Sequence, residues 1–239
     1  MNKPHIVHAF DDQLRTIKAA VEDIARRADA QLATAIAALT ERDASKAAEV
    51  ERSDSELDAG FHRVEELIFE LLALRQPMAQ DLRLPFAAMR GARDIERMGD
   101  YAKNIAKHTV SLTRFPPTGI EANLATLAEA VKQMVEKVIV AFAEQDPDLA
   151  QEVRSRDADV DAIYSQLFEQ LLNNLAASRD ESSACVHQLF IARSFERIGD
   201  HATNFAEDVL FIVHGAPPES SRVKLDTSHY AVADRETKD

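Results

Sequence analysis

A nine-residue motif occurs twice in the chain and limits its fold more than any other feature. Residues 96–104 read ERMGDYAKN and residues 196–204 read ERIGDHATN, so six of the nine positions are identical. This repetition at a spacing of 100 residues predicts two copies of one structural unit. Each copy has a glycine, Gly99 or Gly199, inside a helical pattern, where the missing side chain predicts the close approach of another helix.

Apolar side chains recur every three or four positions through most of the chain, which is typical of helices that bury one face. The β-branched and aromatic runs that mark strands are scarce, with 3 Tyr and no Trp in 239 residues. Prolines and short charged turns divide the pattern into six segments. We predict helices over about 6–40, 44–75, 78–113, 120–144, 146–178 and 182–214.

The clearest break is the sequence FPPTG at residues 115–119, which separates two halves of similar plan. We therefore predict an all-α chain, with one three-helix unit in residues 1–115 and a second in residues 116–215. Residues 216–239 are polar and mixed in charge, so we expect them to form a mobile tail.

The formal net charge is −13, from 41 acidic and 28 basic residues. An acidic surface argues against binding to nucleic acid or to anionic lipid and suits a basic partner. Charged residues recur from Lys3 onward and no apolar run is long enough to span a bilayer, so we expect neither a signal peptide nor membrane insertion. The expected location is the cytoplasm.

Carboxylates repeat at helical spacing within the two units. Glu96, Asp100 and Asn104 are four apart, so they share one strip of the third helix, which borders the apolar stripe. The acids of the second helices project onto the core face itself, where carboxylates repel one another and resist desolvation. Open solvent, arginine partners, raised pKa values or a bound cation would each compensate for this.

Clusters that offer only oxygen ligands suit Mg²⁺, Mn²⁺ or iron and do not favour a structural zinc site. The Glu-x-x-His pattern of di-iron oxygenases is absent from these strips, and no motif argues for catalysis, so we expect a protein that is not an enzyme. Three hypotheses remain open at this point: a metal-binding adaptor, a di-metal phosphohydrolase and a structural adaptor without metal.

The sequence RQPMAQDLR at residues 75–83, followed by DIERMGD at residues 94–100, resembles the signature of the PhoU family. The second Glu-Arg-x-Gly-Asp copy fits the same family, and the resemblance extends from Phe10 to about His214. It implies two three-helix bundles related by pseudo-two-fold symmetry.

The resemblance also implies a function. Members of the family are cytoplasmic regulators, often homodimers, that restrain the phosphate starvation response and high-affinity phosphate uptake. They are thought to connect the ATPase subunit of the phosphate ABC transporter with a sensor histidine kinase. They bind clusters of iron, zinc or other divalent ions such as Mn²⁺ or Mg²⁺. Transferred residue by residue, the expected metal ligands are Asp54, Asp58, Glu96, Asp100, Asn104, Asp157, Asp161, Glu196, Asp200 and Asn204.

The second unit departs from the family pattern in two places. It has SRDES at residues 178–182 in place of the Gln-Pro loop of the first unit, so a surface role of that loop does not extend to it. Arg154 stands where the first unit has Glu51, so its acidic strip has one carboxylate fewer.

Overall fold

Six long helices form the described part of the protein, as predicted. The structure, a computed structural model, describes residues 3–177, 182–218 and 224–231, and this part of the chain contains no strand. The helices are α1 (Lys3–Glu41), α2 (Ala44–Arg75), α3 (Arg83–Leu112), α4 (Glu121–Glu144), α5 (Pro147–Ala177) and α6 (Ser182–His214). The predicted turn at residues 179–181 lies outside the described residues.

The start of α3 differs from the prediction. Met78 is extended, and a 3-10 turn over Ala79–Leu82 precedes the helix, which begins at Arg83 and not at Met78. The position of Pro85 explains this, because a proline is tolerated in the first turn, where its missing N–H has no helical partner. The helical pattern of the sequence therefore extends beyond the helix itself.

The same cap begins the second helix of each unit. The carboxylate of Asp43 accepts a hydrogen bond from the backbone N–H of Ser45 at 2.7 Å. The carboxylate of Asp146 likewise accepts from the N–H groups of Asp148 and Leu149, at 2.8 and 3.1 Å. Each cap satisfies donors that the first helical turn leaves without partners.

Equivalent helices of the two units meet at the centre of the molecule. Helices α1–α3 pack together as one bundle and α4–α6 as the other, while α3 contacts α6 and α1 contacts α4. Arg90 pairs with Asp208, and His108 with His187, so α3 and α6 run antiparallel. This pairing of like with like confirms the pseudo-two-fold arrangement, and one continuous apolar core extends through both bundles.

The two glycines of the nine-residue motif, one in each copy, have different surroundings. A Cβ atom on Gly99 would overlap Cδ2 of Leu57 in α2, so the expected close approach is confirmed there. A Cβ atom on Gly199 would lie 3.4 Å from Cγ1 of Val160, which is an ordinary contact. The second bundle is therefore less tightly packed at this point.

In the described residues, no helix is both long enough and apolar enough to cross a membrane. Beyond α6, residues 224–231 lie against the second bundle, and their 3-10 turn at Ser228–Tyr230 contacts α5. We call residues 224–231 the C-terminal strap. Of the rest of the predicted tail, residues 216–218 are described, and residues 219–223 and 232–239 lie outside the described residues.

Candidate metal centres

Carboxylates from the second and third helix of each bundle face each other and form two clusters. We define the first cluster as Asp54 and Asp58 of α2 with Glu96 and Asp100 of α3. The second cluster comprises the equivalent residues of α5 and α6, which are Asp157, Asp161, Glu196 and Asp200.

Two donors from neighbouring helices contact the deepest acid of the first cluster. Asp54 is 4% exposed, and its Oδ2 forms an ion pair with Nζ of Lys103. Its Oδ1 lies 3.3 Å from the buried amide Nε2 of Gln31 in α1. The first bundle thus supplies one ammonium and one amide as donors to the two oxygens of Asp54.

The other acids of the first cluster are closer to solvent. Glu96 and Asp100 are partly buried and Asp58 is exposed. Burial raises the pKa of Glu96, and the charges of Asp100 and Asp58 raise it further against the opposing effect of Arg97. Arg97 Nη1 lies 3.0 Å from Asp100 Oδ2, so this arginine neutralises part of the exposed side.

All four acids of the second cluster are buried, with exposures between 2% and 7%. Thr203 stands where the first bundle has Lys103, and its hydroxyl donates to Asp157 Oδ1 at 3.1 Å. The position equivalent to Gln31 is the buried Met134. The second bundle therefore supplies no ammonium and no amide from these two positions.

Glu196 is the most strongly perturbed acid of the two clusters. Burial, followed by the charge of Asp200, raises its pKa to about 7, although Arg193 and Arg197 act in the opposite direction. Glu196 is 4% exposed, and its Oε2 atom accepts no hydrogen bond in the described structure. Arg197 Nε lies 3.6 Å from this oxygen, which is an ion pair without a hydrogen bond, so the cost of burying the oxygen is only partly compensated.

The C-terminal strap crosses the second cluster. The backbone N–H of Leu225 donates to Asp161 Oδ2 at 2.8 Å, and Nζ of Lys224 lies 3.3 Å from Asp200 Oδ1. Burial raises the pKa of Asp161, and the hydrogen bond from Leu225 opposes this shift. The strap also brings Asp226 next to Arg193, at 3.3 Å.

The two asparagines expected among the ligands are at the surface of the molecule. Asn104 and Asn204 are exposed, and Nδ2 of Asn204 lies 3.5 Å from Asp94 Oδ1 in α3. Nδ1 of His201 is 2.7 Å from the same Asp94 oxygen. Asn204 therefore belongs to a polar network between the bundles.

The chemistry of the donors fits a hard or borderline cation, because each cluster offers only carboxylate oxygens and Glu196 Oε2 has no hydrogen-bond donor. The present arrangement does not hold one: among the described residues, no three His, Cys, Asp or Glu side chains converge closely enough to bind a metal ion. Lys103 and the strap occupy carboxylate oxygens that a cation would need, so binding requires these donors to move.

A sequence profile described as the PhoU domain matches residues 21–109 and 124–209, one match for each bundle. The chain belongs to the PhoU family. The resemblance found in the sequence motifs is thereby confirmed, and the two matched ranges contain both clusters.

Individual members of the PhoU family resemble the chain over nearly its whole length. A "Phosphate-specific transport system accessory protein PhoU homolog" of Xylella fastidiosa (strain 9a5c) is 38% identical over 224 residues, which cover 94% of each protein. A protein of the same description from Rhizobium meliloti (strain 1021) is 35% identical over 227 residues, covering 95% of this chain and 96% of the relative.

Solved structures of the PhoU family share the fold. The crystal structure of PhoU from Pseudomonas aeruginosa superposes with a TM-score of 0.84 at 30% identity, covering 87% of this chain and 100% of that chain. The phosphate transport system regulatory protein PhoU from Streptococcus pneumoniae superposes with a TM-score of 0.82 at 23% identity, over 88% of this chain and 100% of that chain, which supports the fold alone.

Arginine partners were among the compensations expected from the sequence, and Arg97, Arg193 and Arg197 supply them, but sequence reasoning missed the other donors. Gln31 comes from α1, and Lys224 and Leu225 come from a segment predicted to be a tail. The sequence could have pointed to Lys103 and Thr203, because they occupy one of the three positions at which the two copies of the nine-residue motif differ. Differences between copies of a repeat thus mark where the two sites have diverged.

Proposed function

We propose that this protein is a negative regulator of the phosphate starvation response and of high-affinity phosphate uptake. It acts as a metal-binding adaptor between the phosphate transporter and a sensor histidine kinase. The observation that carries the proposal is the match of both bundles to the PhoU domain. Relatives described as accessory proteins of phosphate-specific transport, similar along at least 94% of the chain, support it.

The proposed partners are the ATPase subunit of the transporter, the sensor kinase and a second copy of the chain, all met in the cytoplasm. A net charge of −13 favours basic docking surfaces on these partners and accelerates association with them at low ionic strength. Co-purification with the transporter ATPase in high and low phosphate measures the first contact. A failure to co-purify in both media would argue against the adaptor role.

Metal binding is the chemical part of the proposal. Iron, Zn²⁺, Mn²⁺ or Mg²⁺ would be held by the carboxylates of the clusters and would supply the positive charge that their mutual repulsion calls for. The raised pKa of Glu196 and the lack of a hydrogen bond at its Oε2 support this. Elemental analysis of protein purified without chelator tests it, and an Asp157→Asn/Asp161→Asn variant is expected to retain less metal. Metal far below one ion per chain in the unaltered protein would favour the metal-free adaptor.

We also propose that the protein has no catalytic activity, in keeping with its family of accessory proteins. The alternative is a di-metal phosphohydrolase, which requires an open coordination position and a base close to the ions. Incubation of Mn²⁺-loaded protein with phosphoesters separates the two. Turnover that disappears in the Asp157→Asn/Asp161→Asn variant would establish the hydrolase.

The regulatory role is tested by deleting the gene and measuring alkaline phosphatase activity in phosphate-rich medium. We expect the deletion to raise this activity, and a plasmid copy of the unaltered gene to return it to the repressed level. The same plasmid carrying Asp12→Asn, a change at an exposed residue far from the clusters, serves as a matched control and should repress equally well. Low activity in the deletion strain would refute the proposal.

A further inference from the structure

Each cluster lies beside one lysine ammonium, but the two lysines come from different parts of the chain. Lys103 of α3 pairs with Asp54 inside the first bundle, whereas Thr203 occupies its place in the second. Lys224 of the C-terminal strap takes the corresponding role there, 3.3 Å from Asp200. The ammonium group beside the first cluster therefore belongs to a long helix, whereas the one beside the second cluster belongs to the C-terminal strap.

The ammonium group beside the first cluster is held by the backbone of a long helix. Lys103 lies within α3, its side chain is 29% exposed, and the backbone that carries it cannot leave the cluster without unfolding the helix. Gln31 holds the other oxygen of the same carboxylate from α1. A cation at the first cluster would have to compete with an ammonium whose backbone stays beside the cluster.

The C-terminal strap, which carries Lys224, can separate from the second cluster without the unfolding of a helix. The polar contacts of the strap include those of Lys224 and Leu225, the ion pair of Asp226 with Arg193 at 3.3 Å, and the hydrogen bond at 3.0 Å from the N–H of Thr227 to Ser165 Oγ. Its apolar side chains are largely in solvent, since Leu225 is 48% and Tyr230 is 77% exposed. Segments with so little buried apolar surface open locally at low free energy.

The strap also leaves the second cluster incompletely satisfied. Its donors reach Asp161 and Asp200, yet Glu196 Oε2 still accepts no hydrogen bond although Glu196 is 4% exposed. The equivalents of Asp161 and Asp200 in the first cluster, Asp58 and Asp100, are exposed and partly buried. The second cluster thus combines a covered entrance with a buried oxygen that accepts no hydrogen bond and has Arg197 Nε at 3.6 Å.

We propose that the C-terminal strap is a built-in competitor for divalent cations, and that a cation enters the second cluster in preference to the first when the strap leaves. The inference rests on the proposed metal binding and adds to it which cluster is loaded and what controls access. Lys224 and the N–H of Leu225 occupy oxygens that the ion needs, so ion and strap exclude each other.

Mn²⁺ titration of the full-length protein tests this competition. The Lys224→Gln/Leu225→Pro variant removes the ammonium and the backbone donor, and we expect it to bind Mn²⁺ about tenfold more tightly than the unaltered chain. Leu225→Ala keeps the N–H group and is the matched control, with unchanged affinity. Asp161→Asn should abolish this binding, whereas Asp58→Asn should leave it intact.

Hydrogen–deuterium exchange supplies a second readout that does not depend on affinity. Saturating Mn²⁺ should speed the exchange of strap amides, above all that of Leu225, which loses its carboxylate acceptor. Lys103→Thr, which copies the second cluster into the first, should create a second Mn²⁺ site.

The outcomes are distinguishable. Mn²⁺ binding with equal affinity in the unaltered chain and the double variant would overturn the strap inference and leave metal binding standing. Binding abolished by Asp58→Asn in place of Asp161→Asn would overturn the assignment to the second cluster. Absence of Mn²⁺ binding in every variant would overturn this inference together with the proposed metal binding, while the alkaline phosphatase assay would still decide the regulatory role.

Discussion

Burial affects the ionisation of Asp208 more than ion pairing does. Asp208 of α6 pairs with Arg90 of α3, yet burial raises its pKa from 3.8 to about 7, helped by the charges of Asp94 and Glu207. The Arg90 side chain is 57% exposed, so water screens its charge, whereas Asp208 has lost nearly all contact with water. An acid buried in this way makes the free energy of unfolding depend on pH.

The Asp208→Asn variant should reveal that dependence. The folded protein binds the Asp208 proton more tightly than the unfolded chain does, so this residue makes the free energy of unfolding fall as the pH rises from about 4 to about 7. The decline is at most about 1.4 kcal/mol per pH unit, and it is complete above the folded pKa. We expect urea unfolding to show that the free energy of unfolding of the variant depends less on pH over this interval. The stability of the variant relative to the unaltered protein should therefore increase as the pH rises.

Asp12→Asn serves as the control for this experiment, because Asp12 and its partner Arg15 are both exposed. Its profile should follow that of the unaltered protein. A profile for Asp208→Asn that is just as steep would contradict the assignment of a raised pKa to Asp208.

At the level of the helices, the two copies of the nine-residue motif predict opposite responses to the same substitution. Gly199→Ala should raise the free energy of unfolding by up to about 1 kcal/mol, because alanine favours helix and the new Cβ has room at 3.4 Å from Val160 Cγ1. Gly99→Ala should lower it, because its Cβ would overlap the buried Leu57. Chemical denaturation of both variants measures the contrast, and stabilisation by both would show that α2 and α3 can separate at no cost.

The two helix caps should contribute independently to the stability of the protein. Asp43→Ala and Asp146→Ala should each destabilise the protein by about 1 kcal/mol, because each removes the acceptor for N–H groups in the first turn of α2 or α5. The two caps lie in different bundles and share no partner, so the double variant should show the sum. Asparagine at either position keeps an acceptor and should recover most of the loss. A double variant no weaker than the singles would contradict independent caps.

The helices were predictable from sequence because their signals are local. Apolar spacing, prolines and capping acids fix α2 and α5 within a residue or two, and Asp54 and Asp157 could be placed on the core faces from spacing alone. The 3-10 turn before α3 was missed, because residues 79–82 fit a helical pattern without continuing the helix. Gln31 and the strap were missed for a different reason, since their contacts join segments far apart in the chain, and no periodicity encodes such contacts.

At the scale of the whole molecule, the two bundles share one apolar core. Phe205 of α6 lies against Gly91 of α3, where a Cβ would overlap its ring, and 5.0 Å from the ring of Phe142 in α4. It is fully buried, so one side chain connects both bundles. Packed side chains therefore join the two bundles, and such a contiguous network is one through which a change in one bundle can affect the other.

This shared core predicts that the protein unfolds in a single transition. Phe205→Ala should lower the free energy of unfolding by about 3–5 kcal/mol and move the entire calorimetric transition, because the cavity weakens both bundles together. Phe69→Ala, at a side chain that is 61% exposed, is the control and should change stability by less than about 0.5 kcal/mol. Two separate transitions, of which Phe205→Ala shifts only one, would show that each repeat folds by itself. In that case the exchange of a strap for a cation at the second cluster would have no direct route to the first.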